Sequence, residues 1–115
     1  MDWNAERQEL ELLFPKVKKI VDEWKGGSWY KKAVTLEDYP PQIRVHFLKR
    51  RTDERTRDRL VFFPGLGDIF VDADLDDKLL IKLSDPVTEI ATLGLECKKI
   101  VMGGYVMYKF WRKQD

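Results

Sequence analysis

A chain of 115 residues, 43% hydrophobic and 36% charged, holds enough apolar material for one core and too much for a disordered segment. Its 21 basic and 20 acidic residues leave a net charge of +1, so bulk charge singles out neither a polyanion nor a membrane surface as partner. One cysteine, Cys97, excludes an internal disulfide and a cysteine-based zinc site, and no stretch approaches the roughly 18 apolar residues of a membrane helix.

The start Met1-Asp2-Trp3-Asn4 lacks the basic and apolar regions of a secretory leader, so a cytoplasmic protein without membrane association is expected. Only two serines, one asparagine and three glutamines accompany the many charges, a pattern of proteins from hot environments.

The first pattern along the chain is helical. Trp3, Leu10, Val17 and Trp24 recur every seven residues, with Leu13 and Ile20 three places after Leu10 and Val17, and Phe14 and Val21 four places after them. That spacing predicts an amphipathic helix from Trp3 to Trp24. Pro15 lies inside it, but the stripe keeps its phase, which favours one helix kinked at Pro15 over a second helix opened by that proline. Asn4 is the expected cap, Glu6 suits the first turn, and Gly26-Gly27 ends the helix.

Ser28 to Leu36 then reads as a strand, broken by Asp38-Tyr39-Pro40-Pro41. Ile43 to Leu48 reads as the next, with Ile43, Val45 and Phe47 alternating against Arg44 and His46, which places His46 on a polar face. Lys49 to Arg59 has no apolar member and reads as an exposed connection. Leu60 to Leu83 reads as a β-meander at the sheet centre, with runs at Leu60–Phe63, Ile69–Leu75 and Leu79–Leu83. Pro64-Gly65-Leu66-Gly67 and Asp76-Asp77-Lys78 punctuate it. Asp85, with Pro86 behind it, is the expected start of a short helix that stops at Gly94. Leu95–Met102 and Tyr105–Arg112 form a hairpin across Gly103-Gly104.

These elements predict an α+β fold, one domain over residues 1–115. An N-terminal amphipathic helix packs on a mostly antiparallel sheet of about six or seven strands, with a short helix near 86–93. The expected core is Leu10, Leu13, Phe14, Val17, Ile20 or Val21, Trp24, Phe47, Leu60, Phe62, Ile69, Val71, Ile81, Leu83, Ile100 and Val101. Leu60–Phe63 is apolar on both faces and so demands cover on both. The helix supplies one cover; a homodimer through the sheet, or the C-terminal hairpin folded over, is expected to supply the other.

Charge is strongly segregated. Lys49–Arg59 holds six bases against three acids, Asp68–Asp77 holds five acids and no base, and Lys98–Lys113 holds five bases and no acid. The first function this suggests is a non-catalytic protein-binding module of inhibitor, immunity or accessory-subunit type. It would act through Asp68, Asp72, Asp74 and Asp76 and through the basic segments, since complementary patches steer association. The second is a nucleic-acid-binding protein using Arg50, Arg51, Arg55, Arg57, Lys109 and Trp111, in which cations neutralise phosphates and a ring stacks a base.

The third reading is a metal-dependent nuclease. Enzymes of the restriction-endonuclease type set an Asp and then Glu/Asp-x-Lys on neighbouring strands, where carboxylates hold a divalent ion and the lysine activates water. Asp68 or Asp85 could be the first carboxylate, and Glu96-Cys97-Lys98 the triplet. The residues after Lys98 form a hairpin, leaving that architecture without its closing helix. A calcium loop beginning at Asp72 fails because Asp77 stands where a glycine is needed and Leu83 where a glutamate is needed. No resident metal and no cofactor is expected, since Gly26-Gly27, Gly65-Leu66-Gly67 and Gly103-Gly104 all read as turns.

Overall fold

The stripe of Leu10, Val17 and Val21 is fully buried in helix α1 (Trp3–Glu23), which runs as one helix through Pro15. Pro15 sits on the exposed side, where its missing N–H faces water. The cap is Asp2, two residues ahead of the expected Asn4. Its carboxylate accepts hydrogen bonds from the N–H of Asn4 (3.0 Å) and Ala5 (3.3 Å), closing the otherwise orphaned first turn. A computed structural model of the chain describes residues 2–26, 31–49, 59–71 and 81–113. No helix among them is long and apolar enough to cross a membrane.

The strands are β1 (Lys31–Asp38), β2 (Pro41–Leu48), β3 (Arg59–Phe63), β4 (Gly67–Val71), β5 (Leu95–Met102) and β6 (Tyr105–Arg112), with helix α2 (Ser84–Ala91) before β5. Four of them form an antiparallel sheet in the order β1-β2-β6-β5, and β3 pairs with β4 in a separate two-stranded sheet. The expected α+β fold is therefore the fold observed, with its six described strands divided between two sheets rather than joined in one. The glycine pair makes the tight connection between β5 and β6, where Gly103 takes a φ of 59° that a side chain would oppose.

The centre of the sheet is β2 and β6, not the Leu60–Leu83 stretch. Ile43, Val45, Phe47, Val106, Tyr108 and Phe110 face α1 and α2 and build the main core with Leu10, Val17, Val21, Leu83, Ile90 and Leu95. On the opposite face, Leu48, Tyr105 and Met107 pack against Val61 and Phe63 of the β3–β4 hairpin. The hairpin is thus the second cover of the sheet, a role expected of a second copy or of the C-terminal hairpin.

That arrangement corrects several expectations. Only one face of β3 is buried: Val61 and Phe63 are inside, whereas Leu60 and Phe62 are 60% and 66% exposed. A two-stranded ribbon laid on a sheet has one covered side, so its outer apolar residues meet solvent. Ile81 is also exposed, and with Lys82 it is helical, not the end of a third meander strand. Val101 is 40% exposed on the edge strand β5. Asp85 does not cap α2; the cap position belongs to Leu83, which supplies no side-chain hydrogen bond. The run 72–80, with Asp72, Asp74 and Asp76, lies outside the described residues, as do Arg50, Arg51, Arg55 and Arg57 and the side chain of Val71.

Candidate functional site

The paired registers arrange the sheet face beneath the hairpin into cross-strand rows. The row Lys31, Leu48, Tyr105, Met102 and the row Ala33, His46, Met107, Ile100 lie at the hairpin end. The next row is Thr35, Arg44, Lys109, Lys98, and beyond it Glu37 pairs with Gln42 and Trp111 with Glu96. The apolar cluster under β3 and β4 takes in residues of the first two rows only. The last two rows form an open half-sheet.

Three cations therefore stand side by side across β2, β6 and β5: Arg44, Lys109 and Lys98. Directly opposed residues on antiparallel strands sit about 5 Å apart, so each cation neighbours the next and repels it. Neither Lys109 nor Lys98 has an acidic partner among the described residues. Arg44 is held in place: its Nε donates to Oε1 of Gln42 (3.0 Å), and Nε2 of the buried Gln42 donates to the Pro40 carbonyl (3.0 Å). This leaves the outer guanidinium nitrogens of Arg44 presented to the face. The indole Nε1 of Trp111 donates to the Glu96 carboxylate (2.8 Å), tying β6 to β5 across the adjoining row. A cleft of about 410 Å³ opens here, lined by Gln42, Arg44, Lys109 and Trp111, and closed at one end by the Arg112–Glu6 ion pair (3.3 Å).

Arg44 also borders a second cleft, of about 370 Å³, between the sheet and the hairpin. Its walls include the exposed Leu60 and Phe62, and its floor holds His46 and Tyr105. His46, expected on a polar surface, is 3% exposed because the hairpin covers its row. The rings of Phe63 and Tyr105 meet edge to face at 6.1 Å, and Phe63 lies 6.2 Å from the His46 ring. Nε2 of His46 lies 2.9 Å from the Thr35 hydroxyl, which makes a long contact of 3.5 Å to Glu37. Because the Glu37 carboxylate accepts only, protons run one way: Tyr105 donates to Nδ1 of His46, Nε2–H donates to Thr35, and Thr35 donates to Glu37. Burial, aided by nearby Arg44, pushes the His46 pKa down to about 4. Burial lifts the Tyr105 phenol to about 12. Neither group is poised to exchange protons near neutrality, so this chain is structural polar packing rather than acid–base machinery.

The nuclease residues do not converge. Glu96 and Lys98 lie on the face that carries the cation row, Asp85 lies on α2 against the other face, and the exposed Asp68 belongs to the hairpin. No three metal-capable side chains meet among the described residues. Of the expected binding residues, Lys109 and Trp111 lie in the open half-sheet. Tyr105, Tyr108 and Phe110, which interleave with the C-terminal cations in sequence, are buried. Arg44 and Gln42 complete the site. No local pattern in the sequence marks them, because only the β2–β6 register brings Arg44 beside Lys109.

Comparison with known proteins found no matching family model, no matching curated protein and no matching solved structure.

Proposed function

We propose that this chain is a non-catalytic binding module that captures an acidic protein surface on the open half of its sheet. The observation that carries the reading is the row Arg44, Lys109, Lys98, three adjacent cations on one face, of which Lys98 is exposed and Arg44 and Lys109 are half-buried. A ligand bearing carboxylates relieves their mutual repulsion, so binding is favoured twice, by attraction and by removal of a like-charge conflict. The surroundings favour protein over nucleic acid. Glu37 and Glu96 stand in the neighbouring row and repel a continuous phosphate backbone. Leu60 and Phe62 offer exposed apolar contact beside Arg44, of the kind the centre of a protein interface uses.

The test is a titration of the ¹⁵N-labelled protein with a glutamate-rich peptide and, separately, with a single-stranded oligonucleotide of equal charge. The expected result is peptide binding that weakens with salt and shifts the resonances of Arg44, Lys98 and Lys109. Tighter binding of the oligonucleotide at those residues would transfer the site to nucleic acid. Binding of neither would end the proposal.

A further inference from the structure

We propose that the partner docks by adding an extended strand to the free edge of β5, and that this strand sets an acidic side chain opposite Lys98 and apolar side chains on its other face. The inference deepens the reading above, on which it rests, by assigning the mode of docking and the pattern recognised.

Among the described residues, β5 is an outer strand of the sheet, paired on one side only, to β6. Hydrogen-bond phase follows from the turn. The pair Met102 and Tyr105 closes a two-residue connection, so Met102, Ile100, Lys98 and Glu96 direct their backbone groups at β6. The other side of β6 agrees, because Lys49 N–H donates to the Gly104 carbonyl (2.7 Å), and the even-numbered residues of β6 follow in that phase toward β2. The backbone N–H and C=O of Cys97, Lys99 and Val101 consequently point outward, spaced as a strand ladder requires. Unpaired edge groups of this kind are the template for strand addition.

The two faces of β5 then dictate the pattern. On one face the cation row ends at Lys98, so the partner residue opposite Lys98 is acidic. On the other, a cleft of about 470 Å³ lies between α2 and β5, lined by Ile81, Val87, Cys97, Lys99 and Tyr108. Ile81 is 70% exposed at its rim. Side chains of an added strand alternate between these two faces, so every second one is apolar and enters this cleft. A second copy of β5 is a poor occupant. Antiparallel registers centred on the middle of the strand set Lys98 or Lys99 against the lysines of the other copy, and like charges directly opposed are unfavourable.

The probe is a blocked peptide of eight residues with Val at every second position, a single Glu placed to face Lys98 and Thr at the remaining positions, flanked by prolines that stop it from assembling with itself. On binding, the amide hydrogens of Cys97, Lys99 and Val101 are expected to slow in exchange at least roughly ten-fold, and alkylation of Cys97 by iodoacetamide to slow in parallel. A peptide N-methylated on the residues that would bond to β5 keeps its charge and is expected to bind roughly ten-fold or more weakly. Lys99→Pro, which removes one outward N–H where an edge tolerates proline, is expected to act in the same direction. Equal binding of the methylated peptide, or unchanged exchange at the three amides, overturns strand addition. If a helical acidic peptide still shifts Arg44 and Lys109 in that event, protein capture stands and only the docking mode falls. If no acidic peptide of either kind binds, both fall.

Discussion

The hydroxyl of Tyr105 lies 2.5 Å from Nδ1 of His46, joining two residues 59 positions apart in the chain. The contact sits where the β3–β4 hairpin closes over the sheet, and while the imidazole is neutral the phenol is its donor. Its removal is therefore a test of how the hairpin is held. In Tyr105→Phe the buried Nδ1 loses its donor, and an unsatisfied buried acceptor costs about 1–3 kcal/mol. Chemical denaturation is expected to show a loss of that size.

The pH dependence has a defined sign. His46 titrates near its usual value when unfolded and at about 4 when folded, so between those values the unfolded chain binds the extra proton. Its contribution to stability is complete above the unfolded pKa and is lost as pH falls toward 4. His46→Gln, which keeps one donor and one acceptor, is expected to flatten the fall in unfolding free energy between about pH 6.5 and 4 relative to the parent. Thermal unfolding of both proteins across that window measures it.

Lys109→Glu separates binding from stability. It replaces two like-charge contacts, with Arg44 and with Lys98, by two opposite-charge contacts, each worth about 0.2–1 kcal/mol. The variant is expected to unfold at a higher denaturant concentration while losing affinity for a glutamate-rich peptide. A functional surface built against stability behaves in this way.

Two neighbouring phenylalanines are expected to behave oppositely. Phe63, 2% exposed, packs under the hairpin, and Phe63→Ala is expected to cost about 3–5 kcal/mol. Phe62, 66% exposed, stands mostly in solvent at the mouth of the cleft between sheet and hairpin, and Phe62→Ser is expected to change stability by about 0.5 kcal/mol or less. Equilibrium urea unfolding of the two variants distinguishes this arrangement from a strand buried on both faces.

Lys32 joins helix and sheet. Its ammonium donates to the carbonyls of Val21 (2.9 Å) and Trp24 (2.8 Å) at the end of α1, where the Val21 carbonyl otherwise accepts only a long bond from the Trp24 N–H (3.3 Å). Partial burial is the first cause that lowers its pKa below the ordinary lysine value, opposed by the nearby Asp22. Lys32→Met keeps the stem and removes the donors, and is expected to cost about 1–2 kcal/mol with fraying confined to the last turn of α1, visible as faster amide exchange there.

What the sequence made legible was local. The stripe from Trp3 to Trp24 repeats often enough to declare a helix, and Gly103-Gly104 between two apolar runs declares a hairpin. Leu60–Phe63 misleads because apolar residues on both faces describe a central strand and an outer ribbon equally well. Only tertiary packing decides, here by giving the centre to β2 and β6. His46 illustrates the same limit. In β2 it alternates with apolar residues as a surface group would, and its burial depends on a hairpin that the alternation cannot see. Lys109, Trp111, Glu96 and Lys98 stood out by charge and motif, but the site they share with Arg44 exists only through register.

The placement of β6 beside β2 also governs how the molecule is made. During synthesis α1, β1 and β2 emerge while the segment that will complete the sheet is still unmade, so one flank of β2 has no neighbour for tens of residues. That flank belongs to a strand buried along almost its whole length, and unsatisfied strand flanks invite pairing with other chains. Ribosome-bound or truncated chains ending before Tyr105 are thus the form in which this protein most needs a chaperone.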